Sequence, residues 1–375
     1  NGKITKEQYD QAVATPVTEG LIAHDNSVNS NDKALVYDSF VTMVLKEVQD
    51  KTGLDPYNDG LTIETTIDSK AQQRLYDIVN TNDYIQYVND KIQNAVVMLD
   101  TKTGAVRAVN GGRKQTTLLG YNRVTDNSRS TGSTIKPVID YGPAIEYLNY
   151  STGQTIMDKR TTYSNGVELN NWDFSHKGAM TLRTALVYSR NTTALQTFKA
   201  VGETNIKSFL NNLDIQIKND GQDYLVESNS IGADISPIKM AAAYAAFGNY
   251  GTYSKPYTVR KVTTRDGQVT EFKPEQKQAM KDSTAYMITD VLKDSFKYGF
   301  ATQATIPGLP TAAKTGSSNY TVEQKRAMGA SDYEDIIPDS WFIGYSTDYT
   351  ISAWTGYDNP YEQGGGVDTT EQEYS

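Results

Sequence analysis

The apolar positions of this chain follow two rhythms, one that predicts helix and one that predicts strand. Phe40, Val41, Val44, Leu45 and Val48 recur at three- and four-residue steps and predict a helix over 39–50, with Gly53 just past its end as a C-cap. After the turn Asn58-Asp59-Gly60, alternation from Leu61 to Ile67 predicts a strand, and a helix follows over 69–80. Two apolar, β-branched runs at 95–99 and 105–109 flank Asp100-Thr101-Lys102-Thr103-Gly104 and predict a β-hairpin that ends at Gly111-Gly112. A helix is predicted over 136–147, with Pro137 in its first turn, where a missing N–H does no harm. Residues 180–247 read as mostly helical, and their Ala-rich last stretch stops at Gly248. A second hairpin is predicted over 257–262 and 268–272 around Asp266-Gly267, then a helix over 283–296 and strands near 312–317, 340–345 and 350–355. Strands come first and last, with helices between. That order predicts an α+β fold in which an antiparallel sheet is assembled from both ends of the chain around a helical insertion. Gly364-Gly365-Gly366 reads as a flexible tail.

Composition narrows the chemistry. At 375 residues the chain suits one large domain with an appendage, and 38% hydrophobic against 22% charged residues is the balance of a globular protein. No apolar run approaches the roughly 18 residues of a membrane span. The net charge of −9 repels a phosphate backbone and no dense basic cluster overrides it, so no nucleic-acid partner is expected. Zero Cys and only two His exclude disulfides, thiolate nucleophiles, Fe–S clusters and structural zinc, and no metal or cofactor is expected. The chain starts at Asn1 without an initiator Met or a leader, so it reads as a piece of something longer whose missing N-terminal segment carries any membrane contact.

Acyl-transfer chemistry without Cys falls to a Ser activated by His or by a lysine of lowered pKa. A His-based triad has only His24 and His176 to draw on, and no Gly-x-Ser-x-Gly elbow exists. The Lys-based alternative has three parts: Ser-x-x-Lys, Ser-x-Asn and Lys-Thr-Gly. Each is weak alone. Ser-x-x-Lys starts at Ser30, Ser133 and Ser236, Ser-x-Asn at Ser27, Ser189 and Ser317, and Lys-Thr-Gly at Lys51, Lys102 and Lys314. Local structure separates them. Lys51-Thr52-Gly53 is a helix C-cap, Lys102-Thr103-Gly104 a hairpin turn, and Ser236-Pro237 an ordinary helix start. Ser133, Ser189 and Lys314 alone follow in the required order with sensible contexts. On a helix, positions i and i+3 share a face, so Lys136 can reach the Ser133 hydroxyl. Burial and the nearby cation of Lys314 would keep Lys136 neutral, as a base must be. Gly316 lacks a side chain and would let substrate backbone lie on its strand, with the Thr315 and Ser317 hydroxyls free to hold a carboxylate.

These residues resemble the penicillin-recognising serine transpeptidases, and more narrowly the transpeptidase module of class A, bifunctional penicillin-binding proteins. The nucleophile segment Ser130-Thr131-Gly132-Ser133-Thr134-Ile135-Lys136-Pro137 is similar to theirs. So are the strands holding Leu61–Asp68, Val97-Met98-Leu99-Asp100 and Thr103-Gly104-Ala105-Val106, the segment Phe247-Gly248-Asn249-Tyr250-Gly251, and Trp341-Phe342-Ile343-Gly344-Tyr345. The resemblance covers about residues 60–357 and suggests a Gram-positive coccus as source. It implies a five-stranded sheet flanked by helices with an inserted all-helical subdomain. It also implies a division into 1–59, a linker with the remnant of a preceding glycosyltransferase module at 1–17, and 60–375, the transpeptidase domain. The long C-terminal helix of the family is expected to be missing, and Ser317 stands where many relatives carry Thr.

The implied activity is D,D-transpeptidation of peptidoglycan stem peptides ending in D-Ala-D-Ala, on the outer face of the cytoplasmic membrane, with β-lactams as covalent inhibitors. Ser133 would be the nucleophile, Lys136 the base, Ser189 a proton relay, Asn191 a ligand for the substrate amide and Lys314 the electrostatic partner. Thr315 and Ser317 would bind the terminal carboxylate, and the N–H groups of Ser133 and Ser317 would form the oxyanion hole. Trp172 would line the cleft mouth. The alternatives are a serine β-lactamase-like hydrolase or D,D-carboxypeptidase, and a non-catalytic β-lactam sensor. The first is weakened because none of Glu203, Glu227, Glu271 and Glu275 has an Asn four positions on.

Overall fold

A computed structural model describes residues 5–14, 28–332 and 334–368. The predicted first hairpin forms strands β1 (Gln93–Asp100) and β2 (Val106–Asn110), and the C-terminal part supplies β3 (Ala312–Ser317), β4 (Asp339–Tyr345) and β5 (Tyr349–Gly356). They make one five-stranded antiparallel sheet in the order β3-β4-β5-β1-β2. The two parts of the chain join where β5 pairs with β1, Tyr349 opposite Asp100 and Gly356 opposite Gln93. This is the expected sheet from both ends, and strand alternation sets its two faces. Asp339, Trp341, Ile343 and Tyr345 of β4 and Thr350, Ser352 and Trp354 of β5 point inward, while Tyr349 and Ile351 stay exposed on the other face.

The inner face is covered by the Ala-rich helix Pro237–Gly248, whose small side chains Ala241, Ala242, Ala243, Ala245 and Ala246 are all buried and let it lie close on the strands. Tyr244 from this helix meets Phe247 and Tyr345 edge-on at 5.9 and 6.1 Å. A Cβ on Gly248 would sit 2.8 Å from the Tyr345 ring, so the helix ends where the sheet leaves no room. The helix Asp282–Lys293 packs beside it through Ala285, Ile288, Val291 and Leu292.

Between β2 and β3 the insertion is mainly helical, but it is not all-helical. It carries the short ribbons Thr155–Asp158 with Gly178–Thr181 and Thr161–Thr162 with Glu168–Leu169. The single helix expected over 136–147 is two pieces, a π turn Pro137–Tyr141 and an α-helix Gly142–Leu148, and a 3₁₀ turn Gly132–Ile135 precedes it. Pro137 contributes no N–H, and its carbonyl accepts from Gly142 five residues on, which widens the turn into the π form.

The helix predicted over 39–50 spans Val28–Thr52, and Gly53 at φ +71° closes it. Although it lies in the stretch expected to be a linker, Phe40, Val44 and Val48 belong to the same core as the sheet. Gly364-Gly365-Gly366 is not a free tail: it leads into the strand Val367–Asp368, which pairs with Ile336–Ile337 and buries Val367 completely. Of the stretch 1–17, residues 5–14 are described and hold the helix Lys6–Ala14; His24 and residues 369–375 lie outside the described residues. No helix among the described residues is long and apolar enough to cross a membrane.

Candidate active site

The site is built where the 3₁₀ turn that carries Ser133 docks against the free edge of β3. Two glycines allow it. Gly132 has φ +49°, and a Cβ there would lie 2.3 Å from the Ser317 carbonyl oxygen. In return, a Cβ on Gly316 would lie 2.6 Å from the Thr131 oxygen and 2.8 Å from the Thr134 nitrogen. Gly316 was expected to be small for the substrate, whereas the space beside it is taken by the turn that carries Ser133. Thr131 N–H bonds Ala233 O at 3.0 Å, and Tyr244 Oη donates to Thr134 O at 2.7 Å, so the turn is fixed from the helical side too. At the far end of β3, buried Asp339 accepts from Arg129 Nε (2.8 Å), Trp354 Nε1 (2.9 Å) and the Ser318 hydroxyl (2.6 Å), which pins the strand just beyond Ser317.

Ser189 is the meeting point. It sits between the helices Leu182–Val187 and Asn191–Val201 with φ +53°, an uncommon backbone for a residue with a Cβ. Lys314 Nζ donates to its hydroxyl at 2.9 Å and to Thr315 O at 2.9 Å. Lys136 Nζ bonds Ser189 O at 2.8 Å and Asn191 Oδ1 at 2.7 Å, and it lies 3.3 Å from the Ser189 hydroxyl. Both ammonium groups are buried. Burial holds Lys136 well below the ordinary lysine range, and the charges of Lys314 and Arg190 add to this while Asp140 opposes it. Burial alone brings Lys314 down to about 7.

A neutral amine has two N–H donors and one lone pair. The Ser189 carbonyl and Asn191 Oδ1 take both donors of Lys136, so in that state the Ser189 hydroxyl faces its lone pair. A hydroxyl that receives a proton from one amine and faces the lone pair of another can relay protons between them.

All the expected residues of the three motifs come together. The expected Lys136–Ser133 contact does not form. Ser133 is half-buried and its hydroxyl makes no hydrogen bond among the described residues, because Lys136 is drawn instead to Ser189 and Asn191. Such contacts often tighten only once substrate is bound. Trp172 is 56% exposed and not a core residue. Its Nε1 donates to Tyr188 O at 3.1 Å, and its ring meets Phe300 edge-on at 5.3 Å, so it stands next to Ser189 at the surface. His176 is exposed.

Asp140 escaped the sequence reading. It is fully buried on the π turn with neither carboxyl oxygen hydrogen-bonded, and burial drives its pKa well above the carboxylate range. Its place four residues after Lys136 was the available signal, since a charged residue one turn from a buried lysine faces the same way.

Residues 94–371 match the family described as penicillin binding protein transpeptidase domain. The chain belongs to that family. It is 39% identical over 367 residues to penicillin-binding protein 1A of Streptococcus oralis, covering 96% of this chain and 57% of the relative. With penicillin-binding protein 1A/1B of Bacillus subtilis it shares 40% over 362 residues, 95% of this chain and 38% of the relative. The chain therefore spans between about two fifths and three fifths of these relatives' length. Among solved structures, the PonA1 protein from Mycobacterium tuberculosis in complex with penicillin V matches at TM-score 0.75 and 21% identity, over 89% of each chain. These findings bear out the family resemblance and the expected fold.

Proposed function

We propose that this chain is a serine D,D-transpeptidase domain that cross-links peptidoglycan stem peptides ending in D-Ala-D-Ala, and that β-lactams acylate it. The observation that carries the reading is the convergence of two buried lysines on one serine hydroxyl beside the Ser133 turn, in a chain of the penicillin-binding family.

In the proposed reaction Ser133 Oγ attacks the carbonyl carbon of the penultimate D-Ala. Its proton passes to neutral Lys136, whose lone pair turns from the Ser189 hydroxyl to that of Ser133 once substrate is bound, and the N–H groups of Ser133 and Ser317 hold the oxyanion. The proton then moves through the Ser189 hydroxyl to the nitrogen of the terminal D-Ala, the C–N bond breaks, and free D-Ala leaves an acyl-enzyme. An amine from a neighbouring stem peptide attacks that ester, restores an amide and returns the proton to Ser133. Asn191 binds the substrate amide, Thr315 and Ser317 bind the terminal carboxylate beside Lys314, and exposed Trp172 lines the mouth. A β-lactam follows the first step, but its cleaved nitrogen stays tethered, so the adduct has the full mass of the drug. The substrate places the domain on the outer side of the cytoplasmic membrane, at the cell wall.

Intact-mass measurement after incubation with a penicillin tests this. The expected result is one adduct on the wild-type chain and none on Ser133→Ala, together with release of D-Ala from a D-Ala-D-Ala peptide by the wild type alone. An adduct that survives in Ser133→Ala overturns the site, and acylation without any D-Ala release favours a sensor.

A further inference from the structure

Ser189 holds a left-handed backbone without being glycine, and what holds it there lies behind it. Its N–H bonds Leu186 O at 3.1 Å and the next N–H, of Arg190, bonds Ala185 O at 2.9 Å, closing the preceding helix. The Arg190 side chain then turns inward, 2% exposed. Its Nε donates to Asp158 Oδ2 at 2.9 Å, Nη1 to Asp173 Oδ1 at 2.9 Å and Nη2 to Ser175 O at 2.5 Å.

Asp158, fully buried, also accepts from the Thr192 hydroxyl (2.5 Å), Asn171 Nδ2 (2.8 Å) and Lys177 N–H (2.9 Å). Asn171 Oδ1 in turn accepts the N–H of Asn191 at 2.7 Å and of Thr192 at 3.3 Å. The helix that starts at Asn191 has no cap from its own Arg190 side chain, and a residue twenty positions earlier supplies it. Residues 189–192 are thus gripped on one side by 158–177, and on the other side they face Lys136 and Lys314.

We propose that Arg190 is a positioning residue for acyl transfer: its buried fork fixes the Ser189 backbone so that the hydroxyl stays between the two lysines. Building on the assignment of Ser133 and Ser189 in the proposed function, this adds a residue that touches neither substrate nor reacting atoms. Arginine is required because three separate acceptors are met by one rigid plane of donors, which a lysine ammonium cannot span. Asp158 and Asp173 balance its charge, and the same aspartates bind the neighbouring backbone, so the ion pair and the loop form one unit.

The test is the rate of acylation of the 375-residue chain by a fluorescent penicillin as a function of its concentration, which separates the binding constant from the limiting rate. Arg190→Lys should lower the limiting rate by about a hundredfold, the effect of a displaced catalytic group, while the binding constant moves by less than about threefold. Asp173→Ala removes one arm of the fork at a side chain that is 20% exposed, and it settles the matter should the lysine variant not fold. For it the limiting rate should fall about tenfold in a protein that still melts in one cooperative transition, at a somewhat lower midpoint. Folded variants that acylate at the wild-type limiting rate, or whose whole loss lies in the binding constant, overturn the proposal. A wild type that is not labelled at Ser133 sinks the underlying site instead, so the two failures are told apart.

Discussion

Replacing Lys314 by Met should make the protein more stable and inactive at once. The cost lies in burying an ammonium group: its pKa falls from 10.5 to about 7 on folding, and burial is the cause. At 1.36 kcal/mol per pKa unit, that depression corresponds to an unfavourable contribution of about 5 kcal/mol when the lysine is charged in both states. Met fills a similar volume without charge, but it forfeits the bonds to the Ser189 hydroxyl and Thr315 O, each worth about 1 kcal/mol. A net gain of about 3 kcal/mol remains. Because the folded pKa lies below the unfolded one, the unfolded chain binds more protons between pH 7 and 10.5, and wild-type stability climbs with pH across that window. The variant's advantage is therefore full below pH 7, shrinks as pH rises, and turns into a deficit of about 2 kcal/mol by pH 10.5, where only the lost hydrogen bonds remain. Urea unfolding of both proteins at pH 6.5 and at pH 10, with penicillin acylation measured on the same samples, reads all of this. A variant less stable than wild type at pH 6.5, or an advantage that does not decline with pH, refutes the argument that the buried charge is held at the expense of stability.

Gly132→Ala should abolish acylation and cost several kcal/mol, since the new Cβ would lie 2.3 Å from the Ser317 carbonyl oxygen in a backbone that already has φ +49°; thermal melts and penicillin labelling check it, and a normal melt with normal labelling contradicts the docking described. Trp172→Ala should leave the thermal midpoint within a few degrees, because the ring is 56% exposed, and should weaken substrate or β-lactam binding more than it slows acylation; an unchanged binding constant removes Trp172 from the cleft.

The strands were legible because apolar β-branched runs and Gly-bearing turns are local signals: the hairpin around Gly104 lies where those runs put it, and the edge strand at 312–317 where its small residues were expected to extend. What local pattern could not show was the geometry after Ser133. Pro137 and close packing beneath the site divide the predicted helix into a π turn and an α-helix behind a 3₁₀ turn, a tertiary effect that no propensity encodes. Gly364-Gly365-Gly366 misled for the complementary reason. Glycine-rich composition signals freedom only if nothing downstream pairs, and Val367 pairs with Ile337.

The three motifs were legible through their order, but their spatial relation differs from the expected one in an instructive way. Helix-face spacing predicts a direct Ser133–Lys136 contact, whereas the lysine's donors go to Ser189 and Asn191, leaving the Ser133 hydroxyl without a hydrogen bond among the described residues. This arrangement suits a two-step transfer better than a fixed Ser–Lys pair. In the proposed reaction Ser133 would carry the acyl group while the Lys136–Ser189–Lys314 chain handles the proton. The chain's geometry rests on a strained serine, and the strain rests on an arginine fork whose acceptors come from a distant ribbon. The residue between Ser189 and Asn191 is unspecified in the Ser-x-Asn motif, yet its side chain is the one that ties the motif to the rest of the fold.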